Sequence, residues 1–318
     1  MINYLSSFIW TPDNKPDDLS DEPCPNQTPV DALSDEPWRK TKGWNRGVRS
    51  ELKDHIAGLV PQTKGQLDVP FFNIVLTGQI AAGKSSFFNS VNSIYHEKVI
   101  GGKSEVDATA GGSLTRKFRV YDINPRPDQP ESNPLPWRIC DTVGLSHSLD
   151  TDYDVTNILK AVDGHLIDRF EFPNHEIFQD TPGFIPTPKF KDRAHCVAVV
   201  IDGSILIFDR MGDNMKRKLK ELREGLITRN IPTYILITHI DEACHEVRKD
   251  VSKVYRSIAI RDLVHKIGRL LHGLPENQIF PIMNYKEQVE LEDNMDILLL
   301  YALRQMLYSA QGHLENQM

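Results

Sequence analysis

The chain has 318 residues, 40 % of them hydrophobic and 25 % charged, with a formal net charge of −7. This is ordinary globular composition at a length that easily supplies a core, and it excludes the electrostatic footprint of a nucleic-acid binder. No uninterrupted apolar run approaches the roughly 18 residues of a membrane span, and MINYLSSFIW has neither the basic start nor the cleavage site of a signal peptide. Cys24, Cys140, Cys196 and Cys244 stand far apart without a CxxC pair, which predicts reduced structural thiols and a cytoplasmic protein.

Met1 to Pro37 holds eight acids and a single base, Lys15, and therefore carries the whole charge imbalance. It is rich in Pro and Asp, repeats LSDEP twice, and cannot bury enough apolar surface to offset its ordering entropy, which predicts a disordered acidic tail over 1–37. Trp38 and Trp44 mark a change of character, and a helical lead-in is expected over 38–69. From Pro70 onward the pattern is that of an α/β domain. Phe71 to Thr77 reads as a buried strand, Lys84 to Tyr95 as a helix, and Ser113 to Ile123 as an alternating strand. Trp137 to Cys140, Cys196 to Ile201, Tyr234 to Ile237 and Ile279 to Ile282 are further strands. Met215, Leu219, Leu222 and Leu226 recur at helical spacing, as do Val251, Val254 and Ile258 and then Val264 and Ile267. A last helix is expected near Met295 to Tyr308. Strands alternating with helices predict a mostly parallel central sheet covered on both faces, a P-loop NTPase fold over 70–318, with an insertion around 145–193 carrying a helix near Val155 to Ile167.

Gly78-Gln79-Ile80-Ala81-Ala82-Gly83-Lys84-Ser85 fits the phosphate-loop pattern G-x-x-x-x-G-K-S/T between a strand and a helix. In such a loop the backbone amides bind phosphate oxygens, and glycines allow close approach. Lys84 is expected on the β- and γ-phosphates, the Ser85 hydroxyl on Mg²⁺, and Ser86 on the α-phosphate. Asp141-Thr142-Val143-Gly144 follows an apolar strand and fits D-x-x-G. Asp141 would hold Mg²⁺ through a water, and the Gly144 amide would sense the γ-phosphate. Asp180-Thr181-Pro182-Gly183 fits the same pattern but follows no apolar strand, so Asp141 is preferred. A second metal-ligating hydroxyl is expected on the glycine-rich segment before the second strand, at Thr115 with Thr109 as rival.

Thr238-His239-Ile240-Asp241 closes a strand and is similar to the base-reading pattern N/T-K-x-D with His in place of Lys. The Asp241 carboxylate would accept guanine N1–H and the 2-amino group. Adenine offers no such pair, and the unpaired carboxylate would cost about 1–3 kcal/mol or more. A helix N-cap is the alternative for Asp241. An imidazole at His239 would stack on the base, and Asn284 is placed near it.

Taken together, FFNIVLTGQIAAGKSSFFNSVNS, CDTVGL, HCVAVVIDGS and ILITHID resemble the interferon-induced protein 44 family of GTPase-like proteins, over about Pro37 to Tyr308. The resemblance implies a TRAFAC-type G domain, a cytoplasmic protein and a role in interferon-linked innate immunity. The residue directly after D-x-x-G is Leu145, which cannot orient an attacking water, and branched Ile80 would crowd the γ-phosphate. Slow GTP hydrolysis, accelerated by self-association or a protein effector, is therefore expected; a module that binds GTP without turnover, and an ATPase, are the competing readings. Arg116 as an internal arginine competes with a plain strand-surface charge.

Overall fold

The computed structural model describes residues 31–63, 65, 68–100, 116–125, 132–148 and 151–317. Among them, β1 (Phe72–Gly78), β2 (Arg119–Asp122), β3 (Trp137–Asp141), β4 (Cys196–Asp202), β5 (Thr233–Thr238) and β6 (Ile279–Pro281) form one sheet in the order β2-β3-β1-β4-β5-β6. All neighbours are parallel except the edge strand β2, which runs antiparallel to β3. The helices in chain order are α1 (Arg46–Ala57), α2 (Lys84–His96), α3 (Tyr153–Val162), α4 (Gly203–Ile207), α5 (Asp213–Thr228), α6 (Ile240–Ala243), α7 (His245–Lys249), α8 (Ile258–Leu270) and α9 (Asp293–Glu315).

The side-chain period of two sorts each central strand between two cores. Val197, Val199 and Ile201 of β4 join the apolar faces of α3, α5 and α8, while Cys196, Ala198 and Val200 join those of α1, α2 and α9. Burial on both faces is why these strands read as continuous apolar runs. The expected fold class is thus the observed one: an α/β, mostly parallel sheet with helices on both faces. Cys140, Cys196 and Cys244 are buried free thiols; Cys24 lies outside the described residues.

Two expected helices end elsewhere. The run Val251 to Ile267 is a 3₁₀ turn over Val251–Arg256 followed by α8, because Ser257 intervenes and its hydroxyl accepts the Ile260 N–H at 3.3 Å as an N-cap. The helix expected to reach Ile167 stops at Val162, since Gly164 takes φ +85° with its α-carbon against the backbone of Asp192, where a side chain would not fit.

Within the expected acidic tail, residues 31–37 are seated on the domain. Leu33 bridges Ser257, Ser34 N–H donates to Arg256 O, and just beyond the tail Trp38 N–H donates to Tyr255 O at 2.8 Å. The first thirty residues lie outside the described ones. The lead-in helix α1 packs on α9, where the guanidinium of Arg49 meets the fully buried Asp296 at 2.6 Å.

Of the places that hold the insertion between β3 and β4, two bear on the site. Residues 169–172 pair with 116–118 through Arg169 N–H to Phe118 O, Phe118 N–H to Phe170 O and Phe172 N–H to Arg116 O. At the other, Lys218 of α5 is fully buried, and its ammonium donates to Ser146 O, Ser148 O, Thr151 O, Thr151 Oγ1 and Asp154 Oδ2 at 2.6–3.2 Å. Removing one member of such a buried pair leaves the other uncompensated, so Lys218→Met is expected to cost about 3–5 kcal/mol in urea-induced unfolding. Arg217→Met, which removes the exposed pairs to Asp152 and Glu221 and an exposed hydrogen bond to Asn214, should cost less than about 1 kcal/mol.

Candidate functional site

The turn after β1 is shaped by Gly78. Its φ is +123°, and a Cβ there would lie 2.1 Å from Val200 O on β4, so no side chain fits. The chain then threads between two neighbours: Gln79 N–H donates to Val200 O, Leu145 N–H to Gly78 O at 2.7 Å, and Ile80 N–H to Leu145 O. Ala81 turns with φ +60° and Gly83 with φ +90°. α2 starts at Lys84 with no side-chain cap. Its first-turn amides, which an α-helix leaves without intrahelical acceptors, make this end suited to an anion.

Lys84 is 5 % exposed, and its ammonium donates to Gln79 O at 2.8 Å. Burial lowers its pKa to about 8, only partly opposed by Asp141. Asp141 ends β3 in register with Leu76 of β1, and its Oδ2 accepts the Ser85 hydroxyl at 2.6 Å. Its other oxygen, Oδ1, is buried without a hydrogen-bond partner among the described residues. Burial raises the pKa of this carboxyl, against the opposing pull of Lys84 and Ser85. An orphaned carboxylate oxygen beside a hydroxyl is a hard-oxygen pair that fits a divalent cation such as Mg²⁺. Among the described residues no group of three or more His, Cys, Asp or Glu gathers as a metal site, so a cation here would need further oxygens from a ligand or water.

The ends of β5 and β6 arrive beside this loop. A cavity of about 460 Å³ is lined by Gly83 and Ser86 together with Thr238, His239, Asp241 and Asn284. Thr238 donates its hydroxyl to Ala82 O at 2.8 Å, and Asn284 donates Nδ2 to Gly83 O at 3.2 Å. Both therefore grip the loop itself. The N-cap of α6 is His239, in the left-handed region at φ +52°, and Asp241 sits in the helix's first turn; the capping alternative for Asp241 is not what the fold uses. Past β6, Tyr285 N–H donates to Ser90 Oγ on α2 and helps hold the cavity's far wall.

Two groups here make contacts that the motif reading did not contain. Gln79, expected in the cradle, turns inward: its amide, its carbonyl and its Oε1 serve Val200, Lys84 and the Asp202 N–H respectively. Asp202, at the end of β4, accepts His239 Nδ1 at 2.9 Å as well as the Ser204 N–H and hydroxyl. Burial works against its carboxylate, but the His239 and Ser204 hydrogen bonds outweigh it and lower the pKa. The sequence signal for Asp202 was its place: a strand-end acid before Gly203-Ser204.

Gly144 is not among the residues lining that cavity; it packs against Ile80 of the loop, where a Cβ on Gly144 would lie 2.8 Å from Ile80 Cα, and lines a second cavity of about 520 Å³ with Ile80, Arg116, Asp154 and Glu171. Leu145 is fully buried. Asp180 is exposed in the turn that Thr181 N–H closes onto Phe178 O, whereas of the two D-x-x-G acids it is Asp141 that meets the Ser85 hydroxyl. Thr115 and Thr109 lie outside the described residues.

No family model matches the chain. Its homologues are proteins named interferon-induced protein 44, in keeping with the motif resemblance. It is 33 % identical over 247 residues to the 44-like protein of Homo sapiens, covering 76 % of this chain and 52 % of that protein. It is 31 % identical over 291 residues to interferon-induced protein 44 of Mus musculus, covering 87 % and 63 %. The chain thus spans between about half and two thirds of the length of these relatives. A solved structure described as a probable GTP-binding protein engB is similar at 13 % identity and a TM-score of 0.37, over 66 % of this chain and 88 % of that one.

The contact at Gly78 gives a stability test. Gly78→Ala should cost more than about 3 kcal/mol, because strain and overlap with the β4 backbone add. Gly273→Ala, also at positive φ (+73°) but with nothing within 4 Å, should cost about 1 kcal/mol. Equal losses in denaturant unfolding would mean the β1–β4 approach is looser than described.

Proposed function

We propose that this relative of the interferon-induced protein 44 proteins is a cytoplasmic guanine-nucleotide-binding protein that holds GTP or GDP with Mg²⁺. One observation carries the reading: Gly83 and Ser86 at the start of α2 and the carboxylate of Asp241 line the same cavity of about 460 Å³. A phosphate-binding helix start and a purine-reading carboxylate are the two ends of one ligand. In this reading the amides of Ala81, Ala82, Gly83 and Lys84 hold the phosphates, Ser86 meets the α-phosphate, and Lys84 exchanges Gln79 O for the β- and γ-oxygens. His239 covers the base, Asp241 reads its N1–H and 2-amino group, and Asn284 and Thr238 keep the loop at the right distance. Ser85 and Asp141 are the residues that would hold the cation, with Thr115 as a further ligand; the bound ion would neutralise charge between the β- and γ-phosphates.

Hydrolysis is expected to be slow. Leu145 is buried and bonded to the loop backbone, and it offers no polar group to a water. The Gly144 amide would meet the γ-phosphate beside Ile80. The same facts favour the second reading, an interaction module that keeps GTP without turning it over. A place in an interferon-linked innate immune response, and self-association or a protein effector as accelerator, are proposed from the names of the homologues and the low expected basal rate. No helix among the described residues is long and apolar enough to cross a membrane.

Lys84→Ala should lose measurable binding of fluorescent GTP and GDP while keeping its circular dichroism and unfolding midpoint. Asp241→Asn should weaken GTP by about tenfold or more, from the 1–3 kcal/mol of a lost charged hydrogen-bond pair, and leave ATP unchanged. In single-turnover assays the unmodified chain alone should hydrolyse GTP far more slowly than about 1 s⁻¹. Normal GTP binding by the Lys84 variant would refute the loop assignment, and an equal effect on both nucleotides at Asp241 would refute the base assignment.

A further inference from the structure

We propose that Asp202 is a positioning residue that holds the His239 ring over the purine as an imidazolium, so that guanine-nucleotide affinity follows the protonation of His239. The inference rests on the guanine-nucleotide reading above and adds to it how the histidine does the work of the expected lysine.

The geometry is specific. His239 sits at φ +52° at the start of α6, one residue beyond the strand whose Thr238 hydroxyl bonds the phosphate loop. Its Nδ1 meets Asp202 Oδ1 at 2.9 Å, which fixes the plane of the ring, and the ring itself lines the cavity. Asp202 is in turn fixed. Its carboxylate accepts the N–H and hydroxyl of Ser204, and its own N–H donates to Oε1 of the buried Gln79. The ring's orientation is thereby referred back to the phosphate loop through Gln79, Asp202 and His239 in series.

The charges acting on the ring are carboxylates. Asp202 faces it from the end of β4, and Asp241 and Glu242 from α6; the cations Arg248 and Lys286, and Glu287, also line the cavity. The hydrogen bond to Asp202 is the largest influence on the histidine and raises its pKa, burial opposes this, and the nearby carboxylates add to the rise. The sign follows directly. Below the raised pKa the ring is a cation, which is attracted to the face of a purine as a cation over an aromatic ring. As pH climbs through that pKa the ring loses its proton, the charge is gone, and the ion pair that orients it becomes a weaker neutral contact. A lysine at this place would not titrate in the same range.

The test has two readouts. In the nucleotide-free full chain, the imidazole nitrogens of His239 are titrated by NMR. The pKa should lie above the ordinary histidine value and fall in Asp202→Asn, which keeps the α4 cap because Asn caps as well as Asp. Separately, the Kd of a fluorescent GDP is measured between about pH 5.5 and 8.5, with each profile divided by that of His239→Lys to remove the ligand's own titration. The unmodified chain should weaken about fivefold or more across the range. In Asp202→Asn the midpoint should move to lower pH. A profile parallel to that of His239→Lys, or a His239 pKa indifferent to Asp202→Asn, overturns the inference. If the unmodified chain binds no guanine nucleotide at any pH, the functional reading beneath it fails instead, whatever the NMR titration shows.

Discussion

The approach of Gly78 to the backbone of β4 is the constraint on which the site depends. β1 is the buried centre of the sheet, and its last residue lies so close to Val200 that a Cβ would fall 2.1 Å from the carbonyl oxygen. With that approach made, Gln79 N–H reaches Val200 O, and Leu145 closes the other side by donating to Gly78 O. The chain leaves the sheet between two fixed neighbours and re-enters regular structure at α2. The direction of that helix start, and with it Lys84 and Ser85, is set by contacts that involve no ligand. Such a loop is organised in advance, so an anion arriving there meets amides already in place.

The strand order supplies the remainder. β3 and β4 flank β1 and bring Asp141 and Asp202 to the same end of the sheet, and β5 and β6 add His239, Asp241 and Asn284 beyond them. The two halves of the region differ in character. The half beyond β4 is polar and cross-linked by side chains to the loop, through Thr238 to Ala82 and Asn284 to Gly83. On the β3 side, Ile80 and Gly144 are in contact and Leu145 is buried. The segment beginning at Ser146 is tied to α5 by the buried Lys218 ammonium.

Much of this was legible in the residues. Strands buried on both faces announce themselves as short apolar runs, and all but one of those expected in the sheet lie within two residues of the observed bounds: Cys196 to Ile201 against Cys196–Asp202, Ile279 to Ile282 against Ile279–Pro281. The exception is the edge strand, expected from Ser113 and observed at Arg119–Asp122; its early part lies outside the described residues. Helix ends were harder, since apolar period continues across Ser257 although the hydroxyl there starts a new helix. Lys84, Ser85, Asp141 and Asp241 could be singled out because each lies in a short local pattern of the sequence. The inward contacts of Gln79 and Asp202 were not legible for a physical reason: the two meet each other across 123 residues of chain and Asp202 meets His239 across 37, and no local pattern records such contacts. Lys218 lies in the basic run Lys216-Arg217-Lys218, and only tertiary packing makes it an internal cation.

The most direct measurement is calorimetric titration of the purified chain with GTP, GDP and ATP, each with and without Mg²⁺. The account predicts saturable binding of GTP and GDP at a one-to-one ratio, strengthened by Mg²⁺, with ATP weaker by about tenfold or more. Equal binding of ATP, or no guanine-nucleotide binding at about millimolar concentration, would contradict it.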